Sequence, residues 1–223
     1  MVQGWVGVAL ATAFVLTTAL CAVSLAVHGA RRTPRLAAAE ANHVVMGVAM
    51  ILMVMPSTAG LVSPTVGVVL FGLAAVGWVG LLLVGRLLGE PLGSIIGCGR
   101  CTGHPVHLLA LDAAMVVMYL AMLPPPVPMT AMPGMSGMEG MDHGAHASSS
   151  PVLTGVGVVL AVYLAAHALA TAVVVRRTPE PVPAGGAALS APVRVAVRGT
   201  VQLVGQAGMG LAMAAMLLVG HSG

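Results

Sequence analysis

Long apolar stretches separated by short polar segments dominate this chain. Each stretch is close to the ~20 residues that an α-helix needs to cross the ~30 Å hydrocarbon layer of a bilayer. Backbone N–H and C=O groups inside lipid must be satisfied within the spanning segment, which favours helices. The predicted helices cover residues 5–27, 37–55, 65–85, 105–123, 152–175 and 199–219.

The composition fits a lipid environment. Charged residues make up 7% of the 223 positions and hydrophobic residues 58%, whereas a soluble domain carries roughly 25% charged residues. We therefore predict an all-α integral membrane protein with six transmembrane helices, forming a single domain over residues 1–223, with the lipid bilayer as a partner. No basic run is interleaved with aromatic residues, so we do not expect nucleic acid as a partner.

The arginines divide the connecting segments into two classes. All nine basic residues are Arg, and they occur only after the first, third and fifth predicted helices. They are Arg31, Arg32, Arg35, Arg86, Arg100, Arg176, Arg177, Arg194 and Arg198. The positive-inside rule places these three segments in the cytoplasm. We expect a multi-pass protein of the plasma membrane whose two termini and 124–151 loop are extracytoplasmic.

The second, fourth and sixth helices carry related segments. Both His43–Met53 and Gln206–Met216 contain the pattern Met-Gly-x-Ala-Met, and Leu111–Met118 is a looser copy. When the three segments are aligned, Asp112 of the fourth helix falls at the position of Gly47 in the second helix. The repeat predicts three helical hairpins around a common centre, as in many transporters and also in membrane proteins that transport nothing.

Methionine within the predicted spans is confined to these same three helices. Nine of these methionines recur at helical spacing, three along one face of each helix. They are Met46, Met50, Met53, Met115, Met118, Met122, Met209, Met213 and Met216. Thioether sulfur is a soft ligand that selects Cu(I), but methionine also fills irregular gaps between helices. The sequence leaves metal binding and packing as alternatives.

A second set of methionines lies in the predicted outer loop, a low-complexity segment over 124–151. Five of them recur at every third position and two histidines follow. These residues are Met129, Met132, Met135, Met138, Met141, His143 and His146. A polyproline-type conformation has three residues per turn and would put the five sulfurs on one edge. Because an exposed loop has no core to fill, the pattern predicts capture of a soft metal ion.

Five further residues are candidates for chemistry. Cys98 and Cys101 form a C-x-x-C on the predicted cytoplasmic side, where they are either soft-metal ligands or reduced thiols without a metal. His43 and His107 lie on the methionine faces of their helices, where an interhelical hydrogen bond is the alternative to a metal. Inside the bilayer Asp112 either has a partner, for which we expect one of these two histidines, or is neutral.

Several of these segments resemble a known family. They are Asn42-His43-Val-Val-Met46-Gly-Val-Ala-Met50, His107 followed by Met115 and Met118, and the methionine stripe of the last helix. They are similar to an uncharacterised family of integral membrane proteins of high-GC Gram-positive bacteria, known as a domain of unknown function, DUF5134. The resemblance implies a multi-helix membrane fold over most of the chain and no established activity.

These patterns predict a membrane protein that binds, and transports or senses, a soft metal ion, with Cu(I) as the expected cofactor. A b-type haem protein with His43 and His107 as axial ligands is one alternative. A non-catalytic scaffold is another, in which small residues such as those of Gly205–Gly210 allow association with a second copy or with other membrane proteins. No hydrolytic motif or phosphate loop occurs, so we expect no enzymatic activity.

Overall fold

The structure, a computed structural model, describes residues 3–30, 34–55, 58, 61–89, 105–123, 151–177 and 199–219. All regular structure in these ranges is helical, and no strand occurs in them. The helices are α1 (Gln3–Ala30), α2 (Pro34–Val54), α3 (Pro64–Leu87), α4 (Pro105–Ala121), α5 (Pro151–Arg177) and α6 (Gly199–Val219). The six apolar stretches of the sequence therefore each form one helix.

Prolines fix where four of the helices begin. Pro34, Pro64, Pro105 and Pro151 are the first residues of α2, α3, α4 and α5. At the first helical position a backbone N–H makes no hydrogen bond within the helix, so proline, which lacks this N–H, costs nothing there. Its fixed φ also suits a helix. The end of α3 is set by Gly89, whose φ of 76° is a left-handed conformation that stops the helix.

Consecutive helices pair as three hairpins, α1 with α2, α3 with α4, and α5 with α6. In the first pair a Cβ on Gly47 would overlap the Thr18 hydroxyl, and in the second a Cβ on Gly67 would overlap the Tyr119 ring. Glycine at these two positions lets the paired helices approach closely. The Tyr119 ring also stacks on Phe71, with ring centroids 5.9 Å apart.

The even-numbered helices form the interior of the bundle. In their apolar spans α2 and α6 bury 39% and 44% of their residues, against 17% to 22% for α1, α3 and α5. Helix α4 contacts α2, α3, α5 and α6, and eight of its 17 residues are buried. The methionine-bearing helices are thus inside, and the odd-numbered helices present apolar side chains outward.

Five helices are long and apolar enough to cross a membrane, and α4 is a shorter apolar helix of 17 residues. The described arginines lie at one end of the bundle, where the odd-numbered helices end and the even-numbered ones begin. They are Arg35, Arg86, Arg176 and Arg177, and all four are exposed. We refer to this end as the arginine end.

Candidate metal centre

Five methionine side chains lie in the centre of the bundle. Met46, Met50, Met115, Met209 and Met213 are at most 1% exposed, and all five belong to one contiguous hydrophobic core. They come from α2, α4 and α6, so the predicted inward faces of these three helices are the faces that the structure buries. Sulfur from three helices therefore reaches one shared interior.

The other sequence-predicted methionines lie further from the centre. Met53, Met118 and Met216 are partly buried against the same core. Met122, which the helical spacing put on the inward face, is 50% exposed. The reason is that α4 ends at Ala121, and the Met122 N–H already donates to the Tyr119 carbonyl in a turn.

Part of the predicted ligand set falls outside the described residues. This applies to the loop methionines Met129, Met132, Met135, Met138 and Met141, to His143 and His146, and to Cys98 and Cys101. Within the described residues, no three His, Cys, Asp or Glu side chains form a group able to hold a metal ion.

All buried polar residues in the described ranges lie toward the arginine end. They are Ser24, Glu40, His43, His107, Asp112, Gln202 and Gln206. Each is in the later half of an odd-numbered helix or in the first half of an even-numbered one. The opposite half of the core is apolar and contains Phe14, Phe71, Met213 and Leu217. The interior is thus polar on one side and apolar on the other.

Three helices repeat the same step from polar to sulfur-bearing side chains. In α2, α4 and α6 the last buried polar residue is followed three positions later by a buried methionine, on the same helix face. The pairs are His43 and Met46, Asp112 and Met115, and Gln206 and Met209. We call His43, Asp112 and Gln206 the polar layer and Met46, Met115 and Met209 the methionine layer.

His43 is fully buried and its ring is oriented by the backbone. Its Nδ1 lies 2.8 Å from the carbonyl oxygen of Ala39. A carbonyl can only accept, so Nδ1 carries the proton and the neutral ring keeps its lone pair on Nε2. Nε2 is buried and has no hydrogen-bond partner among the described residues. This is the orientation in which histidine ligates a metal, with the second nitrogen held by a hydrogen bond.

Asp112 is held by two residues that the sequence did not predict as its partners. Its Oδ1 accepts a hydrogen bond from Asn42 Nδ2 at 3.1 Å, and the Trp78 indole lies close to its carboxylate. The expected partners were His43 and His107. Asn42 precedes His43 by one residue, which rotates its side chain about 100° toward α4. Asp112 therefore connects α2, α3 and α4.

The same contact relates the positions of two methionines along α2 and α4. Asp112 lies beside Asn42, which precedes Gly47, its counterpart in the sequence repeat, by five residues. Met46 follows Asn42 by four positions and Met115 follows Asp112 by three, about one helical turn in each helix. Met46 and Met115 therefore lie on the same side of this contact.

His107 packs against α5. Its ring stacks on that of His167, with centroids 3.8 Å apart and an angle of 11° between the planes. Tyr163 lies beside both rings, 6.3 Å from His107 and 6.0 Å from His167. The sequence analysis placed His107 on the methionine face of α4. Its contacts with Tyr163 and His167 join two helices and could not be predicted from the sequence of either helix alone.

A further polar contact joins α1 and α2. Cys21 of α1 is 5% exposed, and its thiol lies close to the Glu40 carboxylate of α2. Glu40 is itself 1% exposed. A carboxylate so deep in an apolar helix is a signal that sequence reading could have used.

The chain was compared with known proteins and families. The profile of the family described as "Domain of unknown function (DUF5134)" matches residues 35–220, a range that includes nearly all of α2 and the whole of α3 to α6. No curated protein and no solved structure matches significantly. The matched range covers most of the chain and includes every residue of the polar and methionine layers, so this protein belongs to the DUF5134 family.

Proposed function

We propose that this protein is a six-span plasma-membrane protein that binds Cu(I) between α2, α4 and α6. The ligands are the thioether sulfurs of the methionine layer (Met46, Met115 and Met209) and Nε2 of His43. One observation carries the proposal: each of the three inner helices supplies a fully buried methionine just beyond its last buried polar residue.

The chemistry of these groups suits a soft monovalent ion. Thioethers bind Cu(I), whereas carboxylate and carbonyl oxygens suit Mg²⁺, Ca²⁺ and Mn²⁺. His43 contributes a neutral nitrogen whose lone pair is not used by any described donor.

Asp112 provides the compensating charge. Three thioethers and one neutral imidazole leave the full positive charge of Cu(I) in an apolar interior, which is costly unless an opposite charge is near. The Asp112 carboxylate precedes Met115 by one helical turn, and Asn42 and Trp78 orient it. The ion and this carboxylate together are close to neutral.

The arginines give the proposed orientation. The four described arginines share one end of the bundle, and the positive-inside rule assigns that end to the cytoplasm. Helix α4 is only 17 residues long. It also has to cross the bilayer, because otherwise the arginines that precede it and those that follow α5 would lie on opposite sides of the membrane. Both termini and the 124–151 loop are then extracytoplasmic.

The remaining soft ligands extend this function toward both surfaces. On the outer side, the loop methionines Met129 to Met141 with His143 and His146 capture the ion. On the inner side, Cys98 and Cys101 receive or deliver it. Sites of moderate affinity in series suit movement of an ion, because each must be able to release it.

Metal analysis and an absorption spectrum of the purified protein test this proposal. The protein is loaded with Cu(I) under reducing conditions and passed through a desalting column. Retained copper with no Soret band supports the proposal. A Soret band would instead support a b-type haem protein, and retention of neither copper nor haem would leave the buried methionines as packing groups of a membrane scaffold.

A further inference from the structure

Four buried polar atoms on α2, α4 and α6 have no hydrogen-bond partner among the described residues. They are His43 Nε2, Asp112 Oδ2, Gln202 Nε2 and Gln206 Nε2. Their residues are at most 8% exposed, and α4 contacts both α2 and α6. A dry, unsatisfied polar atom costs about 1–3 kcal/mol, and native interiors satisfy nearly all such atoms with protein groups or ordered water.

The four atoms do not suit an ion as their common ligand. Asp112 Oδ2 and His43 Nε2 accept hydrogen bonds, whereas the two glutamine amides donate them. An inorganic anion would be repelled by the Asp112 carboxylate, and a hard cation would meet the amide N–H groups. Water both donates and accepts, and a buried water typically makes about three hydrogen bonds.

We infer that a cluster of ordered water molecules occupies the polar layer and is bounded by the methionine layer. Beyond the methionine layer, the next buried side chains of α2 and α6 are Met50 and Met213, which offer no strong hydrogen bonds. Toward the arginine end the buried side chains of Ser24, Glu40 and Gln202 are polar. The bundle thus contains a hydrated half that connects the arginine end to the methionine layer and stops there.

This inference depends on the four buried polar atoms and does not require that the protein binds copper. Hydroxyl-radical labelling of metal-free protein in a bilayer nanodisc, after brief mixing with ¹⁸O-labelled water, tests it directly. Radicals form where water is present, and methionine and histidine next to that water are oxidised. We expect ¹⁸O incorporation at His43 and Met209 and much less at Met213, one helical turn beyond Met209. Equal labelling of Met209 and Met213, or none at His43 and Met209, would overturn the inference.

A variant with Gln202→Leu and Gln206→Leu provides a second readout. Removing both amides takes away two of the four polar partners of the water, so labelling of Met209 should fall several-fold. The exposed Met55 and Met122 serve as internal controls and should be labelled as in the wild type. Unchanged labelling of Met209 in this variant would also overturn the inference.

Discussion

The side-chain amide of Asn42 donates a hydrogen bond to the carboxylate of Asp112 across 3.1 Å. This contact joins α2 to α4 in the interior of the bundle, and Met46 and Met115 each lie about one helical turn beyond it. The Trp78 indole of α3 lies close to the same carboxylate. One ionisable residue therefore has neighbours on two other helices and lies one turn before the methionine layer.

Loss of this hydrogen bond should reduce stability measurably. We expect a double-mutant cycle of Asn42→Ala and Asp112→Ala, measured by reversible unfolding in detergent, to give a coupling between about 0.6 and 1.7 kcal/mol, the average and the maximum of such cycles between membrane helices. Additive effects of the two substitutions would show that the residues do not interact.

The approach of α1 and α2 gives a second prediction. Gly47→Ala should destabilise the protein by about 1–3 kcal/mol, because the added methyl group overlaps the Thr18 hydroxyl and overpacking costs that amount. Thr18→Ala in the same protein should restore most of the loss, which thermal unfolding would detect.

Gly77→Ala is the matched control, since nothing lies within 4 Å of a Cβ at Gly77. Alanine there is expected to be neutral or slightly stabilising, because glycine is the poorer helix former. If Gly47→Ala behaves like Gly77→Ala, the helices are not packed as closely as described.

Much of the fold follows from the sequence, for a simple physical reason. Spans and inward faces are local properties of hydrophobicity and helical period, and residues such as Met46, Met115 and Met209 lie on the predicted faces. Contacts between helices are different, because tilt and rotation decide them. The partners of Asp112 and the stack of His107 on His167 could therefore not be predicted.

Topology gives a third prediction. A single cysteine introduced at residue 138, in a protein whose native cysteines are replaced, should react with an impermeant thiol reagent added outside intact cells. A cysteine at Leu88, next to Arg86, should react only after the cells are opened. The opposite pattern would reverse the proposed orientation, which depends on the distribution of arginine.

The outer loop gives a fourth prediction. A peptide spanning residues 128–147 should bind Cu(I) and leave Zn(II) unbound at neutral pH, because thioethers prefer the softer ion. Replacing its five methionines with leucine keeps the side-chain volume but removes the sulfur. Equal Cu(I) affinity of the two peptides, in competition with a colorimetric chelator, would show that the methionines do not capture the metal.

The methionine layer is tested most directly by two matched triple variants, both made in protein whose five loop methionines are already leucine. One carries Met46→Leu, Met115→Leu and Met209→Leu, and the other Met53→Leu, Met118→Leu and Met216→Leu at the edge of the same core. Met→Leu typically lowers the free energy of unfolding by less than about 1.5 kcal/mol per site. Thermal unfolding is measured to check that both variants fold.

Cu(I) affinity of these two variants, measured by competition with a chelator, is the decisive quantity. If the layer holds the ion, the first variant loses Cu(I) binding at this site and the second keeps it. Equal affinities in the two variants, whether retained or lost, would contradict the assignment of Met46, Met115 and Met209 as the ligands.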